Sequence, residues 1–250
     1  MADAESVTAA VMIIGDEILS GRTQDTNLRD IARYLAAYGV DLAEARVVPD
    51  HEDEIIGALN HLRARYDYVI TTGGIGPTHD DITADCVAAA FGVALYEHPD
   101  IVAMMAARWG GELNAARRRM ARVPHGGSLV KNPVQGPPGF QIENVFTFAG
   151  IPSVAQGMFQ SMKHRLVGGD PVLARTVRTN LPEGIIAEPL GALQNRYADI
   201  DIGSYPAFRN GRPSVSLVLR GTDDARLQSA AAELIHTLKE MNGEAEEFST

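Results

Sequence analysis

Apolar residues come in short unbroken runs, separated by stretches where they recur every third or fourth position, and that alternation sets the architecture. Thr8 to Gly15 holds Val11, Met12, Ile13 and Ile14 and closes on glycine, the pattern of a strand buried on both faces. From Asn27, read as an N-cap, Leu28, Ile31 and Leu35 repeat at helical spacing until Gly39 stops them. Val40 to Val48 predicts a second strand. His51 to Tyr66 predicts a helix with Ile55, Ile56, Leu59 and Leu62 on one face, and Tyr68 to Thr72 a third buried strand. The order β-α-β-α-β implies right-handed crossovers and a parallel sheet, whose ligands sit beyond the carboxyl ends of the strands.

Helices are expected next over Asp81–Phe91, Ile101–Trp109 and Ala115–Val123, then a loop over Pro124–Gly139. Short strands at Phe140–Ile142 and Val145–Phe148 lead into a helix from Ser153 to about Leu166, and the first domain is placed at residues 1–167. Past Gly168-Gly169-Asp170-Pro171 the pattern changes to a strand (Val172–Thr179), a helix (Ile185–Arg196), a hairpin (Asp199–Tyr205 and Val215–Arg220, turned at Asn210-Gly211) and a last helix (Asp224–Met241). Residues 168–250 read as a small α+β domain, with Glu244 to Thr250 expected to fray.

Composition narrows the function. The 250 residues, 45% hydrophobic and 22% charged, are enough for a real core. A net charge of −10 at pH 7 argues against a general nucleic-acid binder while leaving room for one small anionic ligand at a local site. The single cysteine, Cys86, rules out an internal disulfide and a cysteine-based zinc cluster, and fits a reducing compartment with a packing role. An acidic N-terminus and the lack of a bilayer-length apolar run predict a cytoplasmic protein without a membrane partner.

Candidate chemistry collects at the predicted carboxyl ends of the first three strands. Asp16 and Glu17 follow the first, Asp50 the second, and Asp80 and Asp81 the third. Between the third strand and its helix, Gly73, Gly74 and Gly76 let backbone N–H groups approach an anion, with Thr78 and Thr83 as hydroxyl donors. A purely architectural reading competes, since glycines turn corners and Asp80 would make a good N-cap with Asp81 in the first helical turn. The convergence of acidic loops favours a site, because their repulsion would be relieved by a divalent cation bridging to phosphates. Of the basic run Arg117, Arg118, Arg119 and Arg122, a solvated helix face is the default, with Arg117 the exception best suited to a phosphate. No nucleophile elbow, Cys-His pair or histidine ligand spacing is present, and the glycine loop lacks the Lys-Ser/Thr ending of a P-loop.

These residues resemble a family. Gly15-Asp16-Glu17-Ile18-Leu19-Ser20-Gly21, Thr26-Asn27, Val48-Pro49-Asp50 and the run from Thr72 to Thr83 look like the molybdopterin-binding domain of the competence/damage-inducible protein A family. The likeness continues through Asn132-Pro133-Val134 and Pro138-Gly139-Phe140 to Gly150-Ile151-Pro152-Ser153. It implies a three-layer α/β domain with a parallel, mixed-edge sheet, a ligand site at the glycine loop that also involves Asn27, Gly150 and Pro152, and a form without the C-terminal amidase domain. Asp50 and Asp81 match positions used around metal and phosphates, so the implied cofactor is Mg, Mn or Co, with molybdopterin as an alternative ligand. Relatives of this kind are linked to metal-dependent hydrolysis of ADP-ribose-like pyrophosphates. A non-catalytic molybdopterin or nucleotide binder and a molybdopterin adenylyltransferase-like enzyme stay open beside that reading. The pattern departs from the family at Gly136, where a threonine is usual, at Val154, where a glutamate is usual, and at Arg117 and Met120. The expected partners are a small phosphorylated ligand and further copies of the chain, through the sheet edge or face of the small domain.

Overall fold

The computed structural model describes residues 7–209 and 211–248. Contacts divide the chain into two compact units, Met1–Gly169 and Asp170–Thr250, each described by itself.

In the first unit the leading strands are β1 (Val7–Ile14), β2 (Val40–Val48) and β3 (Tyr68–Thr72), joined by α1 (Asp16–Leu19), α2 (Asn27–Ala37) and α3 (Glu52–Arg65). Next come α4 (Thr83–Phe91), β4 (Leu95–Glu97), α5 (Pro99–Trp109), α6 (Ala115–Arg119), β5 (Arg122–Pro124), β6 (Ser128–Val130), β7 (Gly139–Ile142), β8 (Val145–Phe148) and α7 (Pro152–Met162). The main sheet has the order β2-β1-β3-β8-β7-β6. β2, β1, β3 and β8 run parallel, while β7 and β6 add an antiparallel edge.

The unbroken apolar run of β1 is explained by its central place. Ala10, Met12 and Ile14 point into a core with Ile55, Leu59 and Leu62 of α3 and Cys86 and Val87 of α4. Ala9, Val11 and Ile13, on the other face, join Ile31 and Leu35 of α2 and Met158 and Phe159 of α7. Successive side chains of a strand point to opposite faces, so a strand covered by helices on both sides shows no polar alternation. Edge strand β2, by contrast, alternates between exposed and half-buried positions. Burial pushes the Cys86 thiol up to about 12, in keeping with its packing role.

In the second unit, β9 (Leu173–Thr179), β10 (Asp201–Arg209), β11 (Arg212–Gly221) and β12 (Ala245–Phe248) form an antiparallel sheet of order β10-β11-β9-β12. α8 (Glu183–Arg196) and α9 (Asp224–Glu240) pack Ile186, Leu193, Leu227, Leu234 and Leu238 against Val177, Leu217 and Leu219.

Several expectations change. The helix expected over Ala115–Val123 stops at Arg119, because Arg122–Pro124 pair antiparallel with Leu95–Glu97. The expected loop contains β6, which pairs with β7. The tail does not fray up to Phe248, since Ala245–Phe248 pair with Thr176–Thr179. Of the predicted hairpin turn, Asn210 lies outside the described residues, and Gly211 has φ +74°. No helix among the described residues is long and apolar enough to cross a membrane.

Candidate functional site

The loop after β3 depends on glycine for its shape. Gly73 has φ +104°, and a Cβ there would lie 2.1 Å from the Ile14 carbonyl oxygen; Gly74 has φ +65°, and its Cβ would lie 2.1 Å from Thr83 Oγ1. Any side chain would therefore push the loop off β1 and off the start of α4. The loop is pinned from both sides. Gly73 N–H donates to the Phe148 carbonyl at 3.2 Å, Thr83 N–H to the Gly74 carbonyl at 3.0 Å, and Thr83 Oγ1 to the Gly73 carbonyl at 2.9 Å. The next N–H groups, of Gly74, Ile75 and Gly76, have no protein acceptor among the described residues. Consecutive unspent amides on a glycine turn form an anion-binding concavity.

Carboxylates surround this turn. The Asp16 N–H donates to Asp50 Oδ2 at 2.9 Å, tying the start of α1 to the end of β2. The Glu17 carboxylate folds back over Gly15, where a Cβ would lie 2.5 Å from Glu17 Oε2. Burial pushes the Asp50 carboxyl above its ordinary value; the Asp16 N–H opposes this, and the charges of Asp16, Glu17 and Asp80 raise it further. Asp16, Glu17 and Asp80 are thus among the acidic neighbours that Asp50 feels.

Asp81 is used differently. Its Oδ2 accepts from the Thr78 N–H at 2.8 Å and from the Thr78 hydroxyl, and the carboxylate lies against Gly76, where a Cβ would be 2.6 Å away. The Thr78 hydroxyl stands beside two carboxylates, those of Asp81 and Asp80, and shares its one proton between them. Asp80 is held below its ordinary value by its contact with the Thr78 hydroxyl and by its own backbone N–H. Asp80 is not the N-cap expected: α4 starts at Thr83, Ile82 occupies the cap position, and no side chain caps the helix. The carboxylate of Asp81 closes the Thr78 turn instead of opening the helix, which delays the first helical residue.

Asn27 is the first residue of α2 rather than its cap, which is Thr26; the Asp25 side chain accepts from the Leu28 N–H at 2.9 Å and does a cap's work. Asn27 is 5% exposed, and its Nδ2 donates to the Gly150 carbonyl at 2.8 Å. Pro152 opens α7 just beyond. The structure therefore brings Asn27, Gly150 and Pro152 to the same end of the sheet as Glu17 and Gly73, around one hollow.

The basic run is resolved residue by residue. Arg117 stacks over Trp109 at 4.9 Å, Arg118 pairs with Glu97 at 2.6 Å, and Arg122 grips Asp85 with both terminal nitrogens at 2.7 and 2.6 Å. Arg119 is the one that reaches the loop. Its Nη2 donates to the Asp81 carbonyl at 3.1 Å, its Nε is buried without a partner, and it shares a small hollow with Gly74, Ile75, Gly76 and Asp81. This corrects the choice of Arg117. Four arginines in one short stretch carry no sequence signal for which one turns inward. Among the described residues, no group of three His, Cys, Asp or Glu side chains is positioned to hold a metal ion.

Comparison with known proteins covers both units. Residues 10–168 match the family described as the probable molybdopterin binding domain, and residues 171–245 match the middle domain of FAD synthase. The chain is 36% identical over 238 residues to a CinA-like protein of Citrifermentans bemidjiense, an alignment covering 90% of this chain and 56% of that one. It is 28% identical over 257 residues to a probable FAD synthase of Caenorhabditis elegans, covering 91% of this chain and 49% of that one. The chain spans about half the length of these curated relatives. Among solved structures, the crystal structure of the protein CinA, of unknown function, from Thermoplasma acidophilum aligns with a TM-score of 0.61 at 32% identity, covering 64% of this chain and 98% of that one.

Proposed function

The chain belongs to the family of the probable molybdopterin binding domain, with CinA-like proteins among its relatives, and on that premise we propose that its glycine loop binds the phosphates of a small nucleotide. The reaction we assign is metal-dependent cleavage of a pyrophosphate such as that of ADP-ribose. The observation that carries the reading is the run of unspent N–H groups at Gly74, Ile75 and Gly76 beside the Arg119 guanidinium, in a site otherwise lined with carboxylates. An anion placed there gains amide donors and a cation at once.

The carboxylates fit a hard divalent cation. Mg²⁺ takes one or two protein carboxylates and completes its shell with water and substrate phosphates, so a site without three converging ligands suits it. Asp50 would hold it, with Asp81 contributing its free Oδ1, and the cation would supply charge stabilisation at the phosphoryl oxygens. Thr78 and Asp80 fix the loop that presents the amides, and Thr83 locks its base through the Gly73 carbonyl. Asp16 orients Asp50 through its N–H, which leaves Asp50 Oδ1 for a water or a metal.

Purified protein incubated with ADP-ribose and Mg²⁺, Mn²⁺ or Co²⁺ releases AMP on this reading; silence with every metal refutes turnover. A second reading, binding without turnover, is favoured by Val154. It is 6% exposed and packed in the core where the family pattern carries a glutamate, so no carboxylate reaches the site from that turn. Ligand would then raise the melting temperature without being consumed.

A further inference from the structure

The second unit leaves one face of its sheet without a helix. Val177, Val215, Leu217 and Leu219 turn toward α8 and α9, so the residues between them in β9 and β11 point the other way. Register carries that open face across all four strands: Ser216 lies beside Arg178 and Tyr205, Val218 beside Gly203, and Arg178 beside Glu246. Its large side chains lie flat. The Arg178 guanidinium stacks on the Phe248 ring at 3.7 Å, and the Tyr205 ring rests over Gly203, where a Cβ would come within 2.8 Å of it. Tyr205 is nonetheless 46% exposed. The edges of the sheet are closed to further strands. In β10 the Ile202 N–H is spent on Gln194 Oε1 at 3.0 Å, and Pro206, on the same outward side of the strand, has no N–H to give. At the opposite edge β12 has only four residues. Prolines, short strands and side-chain caps are the means by which sheets avoid edge pairing, which leaves the face as the surface for a partner.

The charges of the face point to the kind of partner. Elsewhere in this unit arginines are paired: Arg175 with Asp224 and Glu247, Arg196 with Glu233, and Arg226 with Asp199. Arg178 and Arg220, and with them Asp201 and Glu246, stand on the open face by register and make no ion pair among the described residues. Two cations matched by two anions lack the surplus of positive charge that a nucleic acid needs. A surface balanced in this way meets its own copy across a two-fold axis with no excess of like charge. Size agrees with such a pair. Strands spaced by about 4.8 Å and rising about 3.3 Å per residue give a patch of roughly 20 by 25 Å, on the order of 500 Å² in projection and more over protruding side chains. An ordinary interface buries about 800 Å² on each partner, so the face reaches the lower end of that class and fits a dimer that forms and dissociates in the micromolar range.

We infer that the open face of this sheet, centred on Ser216 and Val218, is the surface through which two copies of the chain pair. Sedimentation velocity of the full chain at rising concentration tests it, and a reversible shift from monomer to dimer is expected. Y205E, which sets a carboxylate on the face, is expected to raise the dissociation constant at least about tenfold, since buried tyrosines rank among the residues that dominate interfaces. Circular dichroism shows whether that variant is folded. A second measurement keeps the test independent of it. Ser216→Cys should be joined to its copy by a short bismaleimide, while Ser229→Cys on the exposed side of α9 should not; Cys86, 1% exposed, adds no background. A chain that sediments as a monomer throughout overturns the proposal, and so does a dimer in which Ser216→Cys is not joined. A monomer whose Ser216→Cys is shielded from maleimide by single-stranded RNA also overturns it and gives the face to a nucleic acid.

Discussion

Arg119 donates from Nη2 to the backbone carbonyl of Asp81 at 3.1 Å, so the guanidinium is held against the glycine loop by a main-chain oxygen rather than by a carboxylate. Asp85 neutralises Arg122, and Glu97 neutralises Arg118. Arg119 has no carboxylate partner among the described residues. R119M should weaken binding of ADP or ADP-ribose by about ten- to a hundredfold, the loss of roughly 1.5–3 kcal/mol that a charge-assisted hydrogen bond represents. R117M, which removes only a stacking partner of Trp109, should shift affinity far less. Isothermal titration of both variants decides the assignment.

Gly74 and Gly92 have the same left-handed backbone, φ +65°, but different surroundings. A Cβ at Gly74 meets Thr83 Oγ1 at 2.1 Å, whereas one at Gly92 meets nothing within 4 Å. G92A should therefore cost only the backbone penalty, about 1–2 kcal/mol. G74A should cost more than this and abolish nucleotide binding, because Thr83 must leave the Gly73 carbonyl to make room. Chemical denaturation of the pair gives the comparison; equal destabilisation would remove the steric argument.

The second unit depends on its tail. Phe248 lies under the Arg178 guanidinium at 3.7 Å, and Ala245–Phe248 cover one edge of β9. F248A should lower the unfolding free energy by about 1–2 kcal/mol through lost apolar burial and the lost cation–π contact. An unchanged unfolding midpoint would mean that β12 contributes nothing.

Acid should loosen the first unit partly through Glu44. Its carboxyl is held below the ordinary value by the Tyr66 hydroxyl, which donates at 2.7 Å, and by the Arg46 side chain. A carboxylate whose folded value is depressed stabilises above its unfolded value and loses that contribution as pH falls through the folded one. The melting temperature of the unmodified chain should thus exceed that of E44Q near pH 7, and the difference should shrink as the pH drops below about 4. A difference that holds constant down to pH 3 contradicts the linkage.

Much of the first unit was legible because its signals are local. The run Val11 to Ile14, the helical spacing of Ile31 and Leu35, and the glycines after Thr72 each express a constraint satisfied within a few residues. The errors fall where a distant partner decides. Arg122 and Val123 read as helix because the residues before them are helical, and Pro124 as the start of a loop, yet Leu95–Glu97 offers a strand to pair with. Ala245–Phe248 read as fraying because charged tails usually do, yet β9 has a free edge. Asn27 and Asp80 read as caps because their side chains suit one, yet Gly150 claims the first and the Thr78 turn displaces the second.

The sequence by itself determined the alternation of buried strands and amphipathic helices, the position of the glycine turn and the acidic residues near it, because backbone conformation and hydrophobic period are written in neighbouring residues. Only the tertiary structure decided that Arg119 rather than Arg117 reaches the loop, that the charge of Asp80 bears on Asp50 while Asp81 closes the Thr78 turn, and that Asn27 keeps an unpaired oxygen. Those choices depend on which way a side chain turns, and that is settled by packing against residues far along the chain.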